Sequence, residues 1–175
     1  MSRISFAALA ILSIPASVSA DIAGCWISAA GNSVIEMHVE EDVVTGRIVG
    51  MNDPVFLAEE GRGTPGEVRT DLENPAPALR TRPLAGLVIL ENLQRDGRRW
   101  DNGSVYDPES GKSYSVRAEV DRDGLLLLRG YIGSPLFGRT TKWSDADASP
   151  DDTARMLERA RPYLPDGAPA PRCAT

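Results

Sequence analysis

The sequence has little of the chemistry that most enzymes need. It contains one histidine, His38, and has neither a Gly-x-Ser-x-Gly nucleophile elbow nor a glycine-rich phosphate loop. Glu36, His38 and Glu40 alternate and would share one strand face, where they could offer a metal two or three ligands. The simpler interpretation is a solvated outer face. We therefore predict a protein that is not an enzyme and holds neither a metal nor a cofactor.

Long hydrophobic runs are also missing. A membrane-spanning helix needs about 20 apolar residues, and the longest run, residues 4–14, follows Arg3 and is broken at Pro15. Small side chains at Val18 and Ala20 complete the pattern of a secretory signal peptide cleaved after residue 20. We predict a soluble mature protein that is periplasmic or secreted.

Basic residues are outnumbered, with 19 Lys and Arg against 25 Asp and Glu. Removal of the leader takes away Arg3 and no acid, which leaves a formal charge of −7. This acidity argues against nucleic acid and anionic membrane surfaces as partners.

Only two cysteines are present, Cys25 and Cys173. In an exported protein such a pair favours a disulfide, which would tie the C-terminal tail to the first strand. Two alternatives stay open. The thiols could be free, or residues 22–25 could be a lipobox that anchors a lipidated Cys25 to a membrane, although Asp21 interrupts the apolar region there.

The pattern from residue 24 to residue 143 is that of short strands. Apolar residues alternate with polar ones at 35–39 and 112–120, and Gly46 lies within a strand-like run as a bulge would. Further strand-like runs cover residues 43–49, 86–90, 99–106, 125–131 and 138–143. Turns rich in Gly, Asp and Pro separate them, which predicts an all-β barrel or sandwich.

Two segments differ from this pattern. Residues 52–82 lack periodicity and would form a lid over one end, in which Asp71 and Asn74 form a turn while Arg80 and Arg82 pair with surface acids.

The second segment is a helix. Ser149 is its predicted N-cap, Pro150 its first residue and Met156 and Leu157 its apolar contacts, with an end near residue 161. The predicted organisation is a signal peptide at 1–20, a barrel domain at 21–145 and a helix and tail at 146–175.

An ordered series of short motifs covers most of this region. The motifs are Gly24-x-Trp26, Gly46-Arg-Ile-Val-Gly50, Asp71-x-x-Asn74-Pro75, Arg80-x-Arg82-Pro83-Leu84-x-Gly86, Gly103-x-x-Tyr106-Asp-Pro108, Gly111-Lys-x-Tyr114, Leu128-Arg-Gly130-Tyr131 and Gly138-Arg139-x-x-x-Trp143. In this order they resemble the bacterial family called domain of unknown function 2147. The resemblance implies an exported protein without an established activity, folded as an antiparallel calycin-like (lipocalin-like) barrel of about eight strands with a C-terminal helix.

A more distant resemblance concerns the ends of the barrel. Lipocalins carry Gly-x-Trp on the first strand, and the indole packs under the barrel floor against an arginine near the last strand. Gly24-Cys25-Trp26 and Arg139 are similarly placed in this sequence. The resemblance implies that Trp26 and Arg139 are structural residues that close the barrel.

An eight-stranded barrel has room for packed side chains or one small ligand. The expected ligand-binding residues are Met37, Trp100, Tyr114, Val116, Arg129 and Tyr131. The orientation of Arg129 stays open because residues 125–128 are all leucine, and periodicity therefore does not decide which face of the strand points inward. If Arg129 points inward, it would bind a ligand carboxylate. If Leu126, Leu128 and Gly130 point inward, Arg129 is solvated.

The sequence thus favours a non-enzymatic protein that binds or carries a small, mostly apolar molecule. The alternative is a structural or protein-interaction module of the cell envelope with a solid barrel core. A hydrolase would need a reactive cluster that the sequence does not supply. Contact with a membrane is expected only if Cys25 is lipidated, and a protein partner stays open.

Overall fold

Eight antiparallel strands close into one barrel in the computed structural model, which describes residues 21–173. The strands are β1 (Gly24–Ile27), β2 (Ser33–Glu40), β3 (Val43–Met51), β4 (Val88–Asp96), β5 (Arg99–Asp107), β6 (Lys112–Val120), β7 (Leu126–Tyr131) and β8 (Arg139–Asp145). Each strand pairs with its neighbour in sequence, and β1 also pairs with β8. The predicted calycin-like barrel is confirmed. The predicted signal peptide lies outside the described residues, and no helix within residues 21–173 is suited to crossing a bilayer.

β4 covers Val88–Asp96 where the sequence predicted 86–90, because a bulge between Leu90 and Leu93 interrupts the alternation by which the strand could be recognised. Asn92 and Asn102 have positive φ angles of 58° and 59°, and each introduces an extra residue that changes which side chains face inward. Leu90 and Leu93 are both fully buried although they are three residues apart. The pairing of β3 with β4 also shifts on both sides of Gly46, but the extra residues lie in β4, so Gly46 is not itself the bulged residue that the sequence predicted.

One end of the barrel, called the floor here, is formed by residues 21–23 and the short turns after β2, β4 and β6. Arg95 lies 4.3 Å from the centre of the Trp100 ring, and the indole Nε1 of Trp26 donates a 2.9 Å hydrogen bond to the Ile22 carbonyl. The interior near the floor is filled by the protein's own side chains, including Ile22, Val44, Leu93, Trp100 and Leu126.

The expected contact between Arg139 and Trp26 is wrong. Trp26 pairs with Asp145 at one end of β8, whereas Arg139 pairs with Gly130 at the other end. Six residues of extended strand separate these positions, about 20 Å. The cation that stacks on an indole near the floor is Arg95, which comes from β4.

Helix α1 (Pro150–Ala160) packs on the outside of the barrel. Met156 is buried in a small second core that includes Val34 and Val49. Gly50 permits this close approach, because a Cβ there would lie only 3.2 Å from the Leu157 backbone nitrogen. Ser149 precedes the helix as predicted, but its side chain makes no capping hydrogen bond.

The C-terminal tail is bonded to the barrel wall. Cys25 and Cys173 form the predicted disulfide, with their Cα atoms 5.3 Å apart. Arg47 on β3 donates a 2.8 Å hydrogen bond to the Pro169 carbonyl. The tail therefore follows the outer surface of the first three strands.

Glu36 also holds the tail, and this corrects one expectation. Its carboxylate accepts hydrogen bonds of 2.8 Å from Arg47 and from the Arg172 backbone nitrogen, and the residue is 7% exposed. His38 and Glu40 are exposed on the same face. Glu36 therefore belongs to a buried ion pair and not to a solvated strand face.

Candidate functional site

The end of the barrel opposite the floor, called the mouth here, contains a cavity of about 790 Å³. The connections after β1, β3 and β5 contribute residues to its lining, and the connection after β7 lies at the same end of the barrel. Its apolar wall includes Ile35, Ile48, Ile89, Val105, Val116, Leu128 and Trp143. This volume lies within the range of about 300–1,000 Å³ that is typical of small-molecule sites.

Two of the six expected ligand-binding residues line the cavity, namely Tyr114 and Val116 on β6. Met37 and Trp100 point inward but are buried in the core below the cavity, at 2% and 3% exposure. Both belong to the side chains that fill the floor half of the barrel, and neither lines the cavity. Their expected ligand contact is therefore wrong.

Arg129 lies on the outer face, and its expected inward orientation is wrong. Leu126 and Leu128 occupy the inward positions of β7 and are buried. The guanidinium of Arg129 donates to the Pro135 carbonyl at 2.7 Å and to the Thr140 hydroxyl at 3.1 Å. Of the two registers left open by the sequence, the one with Leu126, Leu128 and Gly130 inward is observed.

Tyr131 shares the outer face with Arg129. It is paired with Ser115 across the β6–β7 ladder and does not line the cavity. The expected ligand contact of Tyr131 is therefore also wrong, for the same reason of strand phase.

Three arginines line the cavity: Arg62 and Arg69 come from the segment between β3 and β4, and Arg139 comes from the barrel wall. Arg139 alternates with Thr141 and Trp143 on β8, and these three residues contribute to the cavity wall. No carboxylate within residues 21–173 lies at ion-pairing distance from Arg139. A signal was present in the sequence, since burial of Trp143 implies that Thr141 and Arg139 share its face.

The segment between β3 and β4 forms one side of the mouth. Phe56 is buried and the Arg69 guanidinium lies 5.2 Å from the centre of its ring. Arg69 also donates to Glu60 at 2.8 Å and to the Asp53 carbonyl at 2.9 Å. The hydrogen bonds from Arg69 hold the pKa of the Glu60 carboxyl below its ordinary value. These contacts fold the segment against the barrel.

A buried carboxylate fixes the other half of this segment. Asp71, which is fully buried, accepts hydrogen bonds from the Tyr106 hydroxyl at 2.6 Å, the Asn74 amide at 2.8 Å and Arg82 at 2.9 Å. Burial and the neighbouring Asp71 raise the pKa of Tyr106. The predicted turn is present, with the Asn74 nitrogen 3.0 Å from the Asp71 carbonyl.

The partner of Arg82 differs from the expectation. Arg82 pairs with the buried Asp71 and not with a surface acid, and Arg80 donates to the Asn74 carbonyl at 2.7 Å. Both arginines therefore stabilise the turn. The network is satisfied internally, and every buried side-chain nitrogen or oxygen within residues 21–173 has a hydrogen-bond partner.

Charge is distributed unevenly around the mouth. The acids that line it lie on the β3–β4 segment and the β5–β6 turn, and they are Asp53, Glu60, Glu73, Asp107 and Glu109. Arg62 lies 3.7 Å from both Glu60 and Glu109 and offsets part of this charge. Arg139 stands on the opposite, β8 side. An anionic group would therefore be attracted to the β8 side of the opening.

Comparisons with known proteins agree with this fold. The model of the family DUF2147, described as an uncharacterized protein conserved in bacteria, matches residues 24–145. Among solved structures, the chain is similar to protein HP1028 from Helicobacter pylori, which is described as belonging to the lipocalin family. The identity is 21%, the TM-score is 0.58, and the alignment covers 78% of this chain and 98% of that one. This likeness shows the fold alone. A comparison with curated proteins finds no match.

Proposed function

The chain belongs to the bacterial family DUF2147, and we propose that it binds or carries a small, mostly apolar molecule without transforming it. The observation that supports this most strongly is the apolar cavity of about 790 Å³ at the mouth. A pocket with an apolar wall inside the barrel and polar groups around its opening favours a ligand with an apolar body and one polar end.

The polar groups of the cavity indicate how such a ligand would be oriented. Val116 and Leu128 would contact its apolar body, while Arg139 and Tyr114 would contact its polar end near the opening. A guanidinium without an internal partner favours a carboxylate or another anionic group. We therefore propose an amphiphile whose anionic end lies beside β8.

The cavity weighs against the alternative of a solid structural barrel. The position of the single histidine weighs against a hydrolase that uses a histidine base, because His38 is exposed on the outer face of β2. We also propose that residues 1–20 are removed during export to the periplasm or the medium. A disulfide is typical of such compartments, and Cys25 in its bond to Cys173 has no thiol available for lipidation.

The test is a binding titration on the mature protein with cis-parinaric acid, a fluorescent fatty acid, and with the matched long-chain alcohol. Gly130→Phe should abolish binding of both, because the Gly130 hydrogen points into the cavity and an added Cβ meets only Tyr114 Cβ, at 3.7 Å. The phenyl group can therefore enter the cavity without a backbone clash and occupy the ligand's space.

Arg139→Gln should weaken binding of the fatty acid by about tenfold or more, as expected for a lost charge-assisted hydrogen bond. Binding of the alcohol should stay unchanged. Arg129→Gln is the matched control, an arginine of the same hairpin that lies outside the barrel. Undiminished acid binding by Gly130→Phe would contradict a ligand in the cavity. Equal losses from both arginine variants would contradict the proposed orientation.

A further inference from the structure

The loop between β7 and β8, residues 132–138, exposes three large apolar side chains. Ile132 is 75% exposed, Leu136 is 84% exposed and Phe137 is 88% exposed. These are the most exposed large hydrophobic residues within residues 21–173. They stand together at the mouth of the barrel, and clustered exposed apolar side chains of this kind mark interaction sites.

The apolar loop is held in its conformation by specific hydrogen bonds. The Ser134 side chain accepts from the Leu136 nitrogen at 3.3 Å, and the Gly138 nitrogen donates to the Pro135 carbonyl at 3.1 Å. From the outer face of β7, Arg129 donates to the Pro135 carbonyl at 2.7 Å and to the Leu136 carbonyl at 3.3 Å. The exposed side chains are thus presented outward by a structured turn.

The hairpin that carries the loop differs in charge from the rest of the molecule. From Gly124 to Trp143 there is no Asp or Glu, whereas Arg129, Arg139 and Lys142 are cationic. The whole chain has a net charge of −6. Because salt screens charges over about 8–10 Å, a surface that approaches this side of the mouth meets mainly the local cations and not the acids across the opening.

We propose that the apolar loop inserts into the interfacial region of a phospholipid bilayer that contains anionic lipids. Apolar side chains next to cations are the combination that binds such interfaces, with the apolar groups among the upper acyl chains and the cations near the phosphates. The three side chains stand on one short loop, whereas a protein partner would need about 800 Å² on this side. The overall acidity predicts that binding is weak and reversible.

This inference goes beyond ligand binding and does not require the cavity to be filled. It also adds a route to a membrane that does not depend on lipidation of Cys25. The loop and Arg139 lie at the same opening, so docking would place the cavity mouth at the lipid surface.

The test is sedimentation of the mature protein with vesicles of phosphatidylcholine, with and without an equal part of phosphatidylglycerol. We expect partitioning onto the mixed vesicles that decreases with added salt. The double variant Leu136→Ser/Phe137→Ser should lower the partition coefficient by about tenfold or more, since burial of each side chain from water is worth at least that factor. Leu79→Ser is the matched control, an exposed leucine (42%) outside the loop that should leave partitioning unchanged.

Phe137→Trp provides a direct readout of insertion. The three natural tryptophans are buried, at 3–8% exposure, so a new indole at the loop reports its own surroundings. Its emission should shift to shorter wavelength with mixed vesicles and stay unchanged in buffer. The proposal would be overturned if the wild type did not partition onto the mixed vesicles or if the double variant had an unchanged partition coefficient. Loop-dependent self-association in velocity sedimentation would also overturn it. Failure of the fatty-acid titration would leave these results unaffected.

Discussion

The hydroxyl of Tyr106 is one of the three donors to the buried Asp71 carboxylate. In Tyr106→Phe the carboxylate loses one hydrogen bond without access to water. We expect the free energy of unfolding to decrease by about 1–3 kcal/mol, the usual cost of an unsatisfied buried group. Urea denaturation at neutral pH measures it.

Tyr131→Phe is the control for this variant, because Tyr131 lies on the outer face of β7. Its effect should stay within about 0.5 kcal/mol, as for most surface substitutions. The raised pKa of Tyr106 means that the folded state favours the neutral phenol, so this contribution is present below pH 10 and lost as pH rises through the folded pKa. Equal stability of both variants would show that the network is not energetically important.

The arginines show what residue-level prediction could and could not achieve. Residues 125–128 are all leucine, so hydrophobic alternation could not orient Arg129, and only pairing with β8 decided it. Arg139 was predictable, because Trp143 anchors the inward phase of its strand. The lipocalin resemblance led instead to a structural role at the floor, at the wrong end of β8.

At the scale of elements, the β3–β4 segment should respond to acid before the barrel does. The pKa of Glu60 is lowered by its hydrogen bonds from Arg69. Its stabilising effect is therefore complete above the ordinary pKa of 4.5 and is lost as pH falls through the folded value. Below the folded pKa of Glu60 we expect faster hydrogen exchange, corrected for the intrinsic rate, at the Phe56 and Arg69 amides. These amides donate hydrogen bonds to carbonyls on the other side of the segment.

Glu60→Gln should show the same loosening already at neutral pH, and β6 amides should be unaffected. Glu59→Gln is the matched control, since Glu59 is exposed and forms no ion pair with Arg69. A simultaneous rise at the segment and at β6 would contradict local opening and indicate that the protein unfolds as one unit.

β6, a strand with clean alternation, was predicted with the bounds that the structure shows. β4 was not, because a left-handed residue at Asn92 breaks the period of two, and sequence alternation alone does not reveal it. The covering segment was recognisable only by its lack of periodicity. Its fixed conformation depends on Asp71 and Arg69, whose partners lie far away in sequence.

For the whole molecule, the disulfide should dominate the stability. It joins residues 148 positions apart, and a loop of that length stabilises by about 4–5 kcal/mol in the entropic model. We expect Cys25→Ser/Cys173→Ser to lose about that much free energy of unfolding, as measured by urea denaturation. Reductant should destabilise the wild type similarly and leave the double variant unchanged. A loss below about 1 kcal/mol would show that the tail contacts of Glu36 and Arg47 suffice without the covalent bond.

The architecture could be predicted because the ordered motifs resemble a family for which a calycin-like barrel is implied, while the strand pattern alone left a barrel or a sandwich open. The cavity could not be predicted, since an eight-stranded barrel can be filled or hollow. The volume that remains depends on side chains packed against one another near the floor, and Gly130 beside Tyr114 leaves space that no pattern in the sequence indicates.

The bond between Cys25 and Cys173 also closes residues 25–173 into a covalent ring. The ring contains all eight strands except for Gly24, the first residue of β1. A protease that cleaves once at an exposed site such as Gly61–Arg62 would open the ring without releasing a fragment. Both pieces would stay attached and positioned by the closed sheet. In a compartment rich in proteases, one nick would thus leave a working molecule, and native termini could be relocated to that loop by circular permutation.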